Sequence, residues 1–185
     1  MRNLVYAINL TIDGCCDHTK VGGSEEILEY FANLIRDAGL LVYGRITYEL
    51  MVPYWPDIAK NHSGQTKAEI DFAETFDATP KLVFSKSLEK VEDKNSRLVR
   101  TKPEDELLKL KQEPGKSIWL GGVALSSHLI GLGLVDEYFF VIHPVIAGEG
   151  RRLMEGINLQ ERLKLKLVDS KLLNSGCMAL HYLKQ

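Results

Sequence analysis

SIWLGGVALSSHLIGLGLVDEYFFVIHPVIAGEGRRL, residues Ser117 to Leu153, decides how the rest of the chain is read. Its first four residues form a short apolar run that ends at Gly121-Gly122. The apolar residues that follow, Val123, Ala124, Leu125, Leu129, Ile130 and Leu132, recur at helical spacing. Asp136-Glu137 breaks that pattern at a helix-to-strand junction, which makes the acidic pair a structural feature. Tyr138 to Ile142 then reads as a fully buried strand stopped by Pro144, which cannot continue a central ladder. The stretch is a β-α-β unit with two glycines at the carboxyl end of its first strand. In open α/β sheets ligands bind at such ends, where a helix start offers unpaired N–H groups to an anion.

Upstream the same grammar repeats. Leu4 to Ile12 is an apolar strand closed by the turn dipeptide Asp13-Gly14, and the loop on to Gly22-Gly23 is long enough to be a flap. Ser24 with Glu25 and Glu26 reads as an N-cap and an acidic first turn. Ile27, Leu28, Phe31, Leu34 and Ile35 form the apolar face of that helix, which is expected to end near Gly39. Leu40 to Tyr43 is a second strand, and Gly44-Arg45-Ile46-Thr47 leads from it into a short helix. Tyr54 to Gln65 is expected to be a polar loop and Thr66 to Phe76 a helix. Lys81 to Phe84 is a strand ending at Ser85-Lys86, and Arg97 to Arg100 another. Pro103 opens a helix from the position that suits proline best. Beyond the opening stretch, Leu163, Leu165 and Leu167 alternate with lysines. Cys177 to Leu183 follows the turn Asn174-Ser175-Gly176, so the chain closes in a hairpin. The expectation is one α/β domain over residues 1–185: a mostly parallel mixed sheet, helices on both faces, and a C-terminal antiparallel hairpin.

Composition narrows the function. A formal charge of −2 leaves no electrostatic footprint for nucleic acid, and no apolar run reaches the length of a membrane span. The opening run LVYAINLTID contains Asn9 and Thr11 and no small-residue cleavage site, the pattern of a strand and not of a secretion signal. Cys15 and Cys16 are adjacent and Cys177 stands alone, which points to a reducing, cytoplasmic compartment. Cys15-Cys16-Asp17-His18 contains metal-ligand residue types without C-x-x-C spacing or a second pair, so no metal is expected.

Two glycine-marked junctions, at Gly44 and Gly121, have a joint meaning. If their strands run the same way, both helix starts lie on one sheet edge and can clamp the phosphates of a dinucleotide. Neither is a G-x-G-x-x-G or P-loop fingerprint. Arg45 and Lys86 add positive charge at two strand ends and Ser85 a hydroxyl, a set suited to the 2′-phosphate of NADP.

The runs LLVYGRITYELM (40–51), KLVFSKSL (81–88), IWLGGVAL (118–125) and GLVDEYFFVIHPVIAGEGRRL (133–153) together resemble the dihydrofolate reductase-like family that includes the reductase domain of the bifunctional riboflavin-biosynthesis deaminase/reductase. The resemblance spans nearly the whole chain. It implies the three-layer dihydrofolate reductase-like fold and an NADPH-dependent reductase acting on a pterin-, folate- or pyrimidine-like heterocycle. It implies that Gly44, Arg45, Ile46, Thr47 and Gly121, Gly122, Val123, Ala124, Leu125 hold the cofactor pyrophosphate. Ser85 and Lys86 would lie by the adenosine phosphate, and Asp13-Gly14 would be the flap over nicotinamide and substrate. Asp13, then Glu26, are the candidates for proton supply or substrate orientation, and Tyr48 and Trp55 for a substrate wall. A homodimer is expected, since relatives pair and the terminal hairpin leaves an edge to cover. Two positions depart from the family. No Pro-Trp marks the first-helix carboxylate of dihydrofolate reductases, and Leu120 stands where riboflavin-pathway reductases carry glutamate before the glycine pair. The alternative these departures leave open is a non-catalytic NADP(H)-binding or interaction protein on the same fold.

Overall fold

The computed structural model describes residues 1–157 and 159–185. Its strands are β1 Leu4–Thr11, β2 Ala38–Gly44, β3 Lys81–Phe84, β4 Ser96–Val99, β5 Ser117–Leu120, β6 Glu137–His143, β7 Leu165–Leu172 and β8 Met178–Lys184. They make one sheet in the order β4-β3-β2-β5-β1-β6-β8-β7. The first six run parallel, and β8 joins β6 antiparallel and carries β7 as the edge. The mixed sheet with an appended hairpin is the architecture the periodicities imply.

Among the described residues six helices cover it: α1 Glu25–Arg36, α2 Arg45–Met51, α3 Trp55–Lys60, α4 Lys67–Ala78, α5 Pro103–Gln112 and α6 Ala124–Gly131. Their ends are set by local chemistry. Ser24 caps α1 by accepting from the Ile27 amide, and Thr66 and Glu69 form a reciprocal capping box at α4. Pro103 occupies the first turn of α5, followed by Glu104, Asp105 and Glu106, with Lys109 and Lys111 in the last turn, each sign at the favourable dipole end.

Side-chain alternation sorts the core into two layers. On one face Val5, Tyr43, Val83 and Trp119 pack under Ala32 and Ile35 of α1, Tyr48 of α2 and Phe72 and Phe76 of α4. On the other, Leu4, Tyr6, Val42, Leu82 and Leu120 meet Leu107 of α5 and Leu129 and Ile130 of α6. Each such side chain contributes about 1.5–3 kcal/mol by leaving water.

Two expectations need correction. Gly39 does not end α1; it lies inside β2, where a side chain would come within 3.0 Å of Lys116. The Tyr54–Gln65 segment is not wholly a loop. Pro56 in a first turn and the buried Ile58 turn Trp55–Lys60 into α3, whose Trp55 packs 4.5 Å from Phe72. Among the described residues no helix is long and apolar enough to cross a membrane.

Candidate active site at the carboxyl edge of the sheet

The parallel pairing of β2 with β5 places both glycine junctions on one edge, as the clamp requires. There they touch. The Gly121 amide donates to the Val42 carbonyl at 3.1 Å, and a Cβ on Gly121 would strike the Tyr43 ring. Gly122 has φ of 82°, a left-handed conformation that favours glycine, and a Cβ there would strike the Thr47 hydroxyl. Gly44 lies beside Leu125 across the same gap. Backbone of one strand-to-helix turn is thus pressed against the other, and Gly44, Thr47, Gly121, Gly122 and Leu125 form one cradle. Tyr6, buried in β1, donates to the Gly122 carbonyl at 2.9 Å and fixes the cradle from below. Burial holds its hydroxyl far above the usual phenol range, so it stays a neutral donor.

One strand further out, β3 ends at Ser85. The buried Ser85 hydroxyl accepts from the amides of Ser87 and Leu88, which curls the following loop. Arg100 braces that loop by donating to the carbonyls of Lys86, Leu88 and Glu89. Between loop and α2 opens a cleft of about 510 Å³ lined by Arg45, Glu49, Ser87, Glu89, Lys90 and Glu92. Arg45 is paired with Glu49 at 2.7 Å on the exposed face of α2, and Lys86 projects to solvent. A phosphate in this cleft would compete with one half-exposed carboxylate for Arg45, a contest worth about 0.3–0.5 kcal/mol for a helix pair of this spacing.

The loops after β1 and β6 are fastened together. Asp13 accepts from Thr11, from the Ala147 amide at 3.1 Å and the Gly148 amide at 3.0 Å, and pairs with Arg152 at 3.2 Å. The Thr11 hydroxyl and those amides hold its carboxyl well below the usual carboxylate range. Lys20 bridges to Glu149 at 2.8 Å, and the Cys16 amide donates to the Arg151 carbonyl at 2.8 Å. The Asp13-Gly14 flap is therefore pinned across the chain, and Asp13 is an anion with its oxygens engaged.

Glu26 is engaged elsewhere: it accepts from the Asn174 and Ser175 amides at 2.9 and 3.0 Å and ties the hairpin turn to α1. Those amides lower its carboxyl too. Tyr48 is buried, its hydroxyl accepting from the Glu92 amide at 2.9 Å, and Trp55 sits in the helical layer over Phe72. These four residues do not converge at the glycine cradle. Three residues with a place at this edge escaped the sequence reading: Tyr6, hidden in an apolar strand, and Asn9 with His143, whose Nε2 lies 2.9 Å from the Asn9 side-chain oxygen across the β1–β6 pair. Burial lowers the His143 imidazole below its ordinary value. Only His143 had a signal, its place immediately before the strand-ending Pro144. Among the described residues no three His, Cys, Asp or Glu side chains converge as metal ligands do.

Comparison with known proteins agrees with this architecture. The model of the RibD C-terminal domain family matches residues 2–179. The uncharacterized protein YyaP of Bacillus subtilis (strain 168) is 34% identical over 185 residues, covering 98% of this chain and 94% of its own. Among solved structures, a Shewanella sp. PV-4 protein provisionally named for riboflavin biosynthesis superposes with a TM-score of 0.74 at 18% identity, over 100% of this chain and 99% of its own. Dihydrofolate reductase from Enterococcus faecalis, complexed with NADP(H), superposes with a TM-score of 0.65 at 14% identity, over 99% and 96%. At those identities the structures establish a shared fold.

Proposed function

Because the chain belongs to the RibD C-terminal domain family, we propose that it is an NADPH-dependent reductase delivering a hydride to a small pterin-, folate- or pyrimidine-like heterocycle. The observation that carries the reading is the glycine cradle. Gly121 and Gly122 bring bare backbone into contact with Tyr43 and Thr47 at the edge where β2 and β5 end in parallel, where a Cβ would strike the Tyr43 ring and the Thr47 hydroxyl. Gly44, Arg45, Ile46 and Thr47, with Gly121, Gly122, Val123, Ala124 and Leu125, would hold a pyrophosphate through backbone amides. Arg45, Ser85 and Lys86 would receive the 2′-phosphate. The bound cofactor would supply the hydride.

The protein's own part is to place and enclose. Asp13 positions the flap by its bonds to the Ala147 and Gly148 amides and to Arg152; as an engaged anion it carries no proton near neutral pH. Tyr48 and Trp55 would back the substrate wall from within the helical layer. Glu26 sets the hairpin turn against α1. The working assembly is a homodimer, and the three unpaired cysteines fit a cytoplasmic setting.

A second reading, a nucleotide-binding protein without turnover, is favoured by one observation: Leu120 is 2% exposed in the apolar layer, so no carboxylate precedes the glycines. Titrations of tryptophan fluorescence with NADPH and NADH, on the wild type and on Arg45→Ala and Lys86→Ala, test both. We expect NADPH to bind at least tenfold better than NADH and each substitution to weaken NADPH by about tenfold, the scale of one charge-assisted hydrogen bond. NADPH consumption with any pterin or pyrimidine acceptor then separates reductase from binder. Absence of binding by either cofactor overturns both.

A further inference from the structure

We infer that Asn9, held in place by His143, binds the carboxamide of the cofactor's nicotinamide ring. This rests on the NADPH reading above and assigns residues to the end of the cofactor that the glycine cradle does not reach.

Strand register places the pair. Val5, Ala7 and Asn9 alternate onto the side of β1 that α1 covers, and Phe139, Val141 and His143 do the same in the neighbouring β6. Tyr6 lies opposite Leu120, so Ala7 is level with Gly121 and Asn9 stands two residues, about 6.6 Å, beyond it at the carboxyl edge. There the buried His143 donates from Nε2 to the Asn9 side-chain oxygen at 2.9 Å. That bond fixes which way the amide faces. The Asn9 nitrogen has no acceptor among the described residues and is not one of the polar atoms sealed from water. Asn9 follows Val5 and Ala7, and His143 follows Phe139 and Val141, in rows where hydrocarbon side chains would fill the space without desolvating polar groups. What the pair presents instead is an oriented amide with two free N–H donors and a second lone pair on its oxygen.

Strand order names the ligand. Along the carboxyl edge come β3, β2, β5, β1 and β6. The 2′-phosphate site proposed above lies at the end of β3 and the pyrophosphate cradle between β2 and β5. An extended dinucleotide laid along that edge therefore carries its nicotinamide on to β1 and β6, with Ser85 and Asn9 three strands, about 14 Å, apart. Asp13 and Glu26 are taken up by backbone amides, so Asn9 meets the ring as an uncharged partner. A primary carboxamide matches it: the carbonyl accepts from Asn9 Nδ2 and the NH2 donates to Asn9 Oδ1.

Isothermal titration calorimetry near neutral pH tests this with three ligands: NADPH, its acetylpyridine analogue, in which a methyl group replaces the amide NH2, and adenosine 2′,5′-bisphosphate, which lacks the nicotinamide half. The proteins are the wild type, Asn9→Ala, His143→Leu and His143→Gln, the last retaining a side-chain N–H donor. We expect the wild type to prefer NADPH to the analogue roughly fivefold, and Asn9→Ala to abolish that preference, weaken NADPH roughly five- to tenfold and leave the bisphosphate unchanged. His143→Leu should lose the preference and His143→Gln keep it. Unchanged bisphosphate affinity, with far-UV circular dichroism, shows that each variant is folded. A wild type that does not tell NADPH from the analogue overturns the assignment and leaves the NADPH reading standing. So does an Asn9→Ala protein that binds NADPH like the wild type or weakens the bisphosphate equally. A preference that survives His143→Leu overturns the positioning role. A wild type that binds neither NADPH nor the bisphosphate overturns the reading and the assignment together.

Discussion

Gly122 and Gly44 look alike in sequence, each a glycine between a strand and a helix, and the structure separates them. Gly122 combines a φ of 82° with a Cβ direction aimed at Thr47, whereas Gly44 has a φ of −82° and room for a methyl group 3.8 Å from Leu125. Gly122→Ala should lower stability by more than about 1 kcal/mol and weaken NADPH, while Gly44→Ala should stay within about 0.5 kcal/mol, as thermal unfolding and cofactor titration would show. Asp13 and Glu26 teach the complementary lesson. Both residue types could shuttle protons, and both carboxylates are instead acceptors of backbone amides more than 130 residues away in sequence, at Gly148 and Ser175. Nothing within a few residues of either acid announces those partners.

At the scale of elements, the strands and capped helices were legible because their signals are local. Ser24, the Thr66–Glu69 box and Pro103 each act within one turn. The misses were α3, where Pro56 and Tyr54 read as loop residues until Trp55 finds Phe72, and β2, where Gly39 reads as a helix stop until the strand packs on Lys116. Lys81 is a further case. It opens β3 as an ordinary polar residue, yet its side chain is fully buried, paired with Asp93 at 3.2 Å, donating to the Thr79 carbonyl at 3.0 Å and lying 4.5 Å over the Phe76 ring. Burial pushes its ammonium down and Asp93 pulls it back up. Lys81→Ala leaves Asp93 buried and unpaired, so urea denaturation should register a loss of about 3–5 kcal/mol, far more than a surface lysine would cost.

For the whole molecule, acid should undo the arrangement in two stages. His143 is buried with its folded value depressed, so between that value and about 6.5 the unfolded chain binds the extra proton. Its contribution is complete above about pH 6.5 and is lost as pH falls. The carboxyls of Asp13, Glu26 and Asp93 are also depressed, and their contribution is present above about pH 4.5 and lost below it. Stability from urea unfolding should therefore decline in a shallow step from pH 6.5 and a steeper one below 4.5. His143→Gln should remove the first step and leave the second; a first step that persists would assign it to another group.

The chain by itself determined all but one of its elements in order, a mostly parallel mixed sheet, the closing hairpin and the two glycine junctions. Each of these follows from periodicity and steric rules that act between near neighbours in sequence. Tertiary structure alone decided that the junctions touch, that Asp13 and Glu26 are engaged acceptors, that Lys81 is buried and that β7 turns its apolar side to water. Those outcomes depend on which distant segment arrives at a side chain, and hydrogen bonding and desolvation are set by the group that arrives.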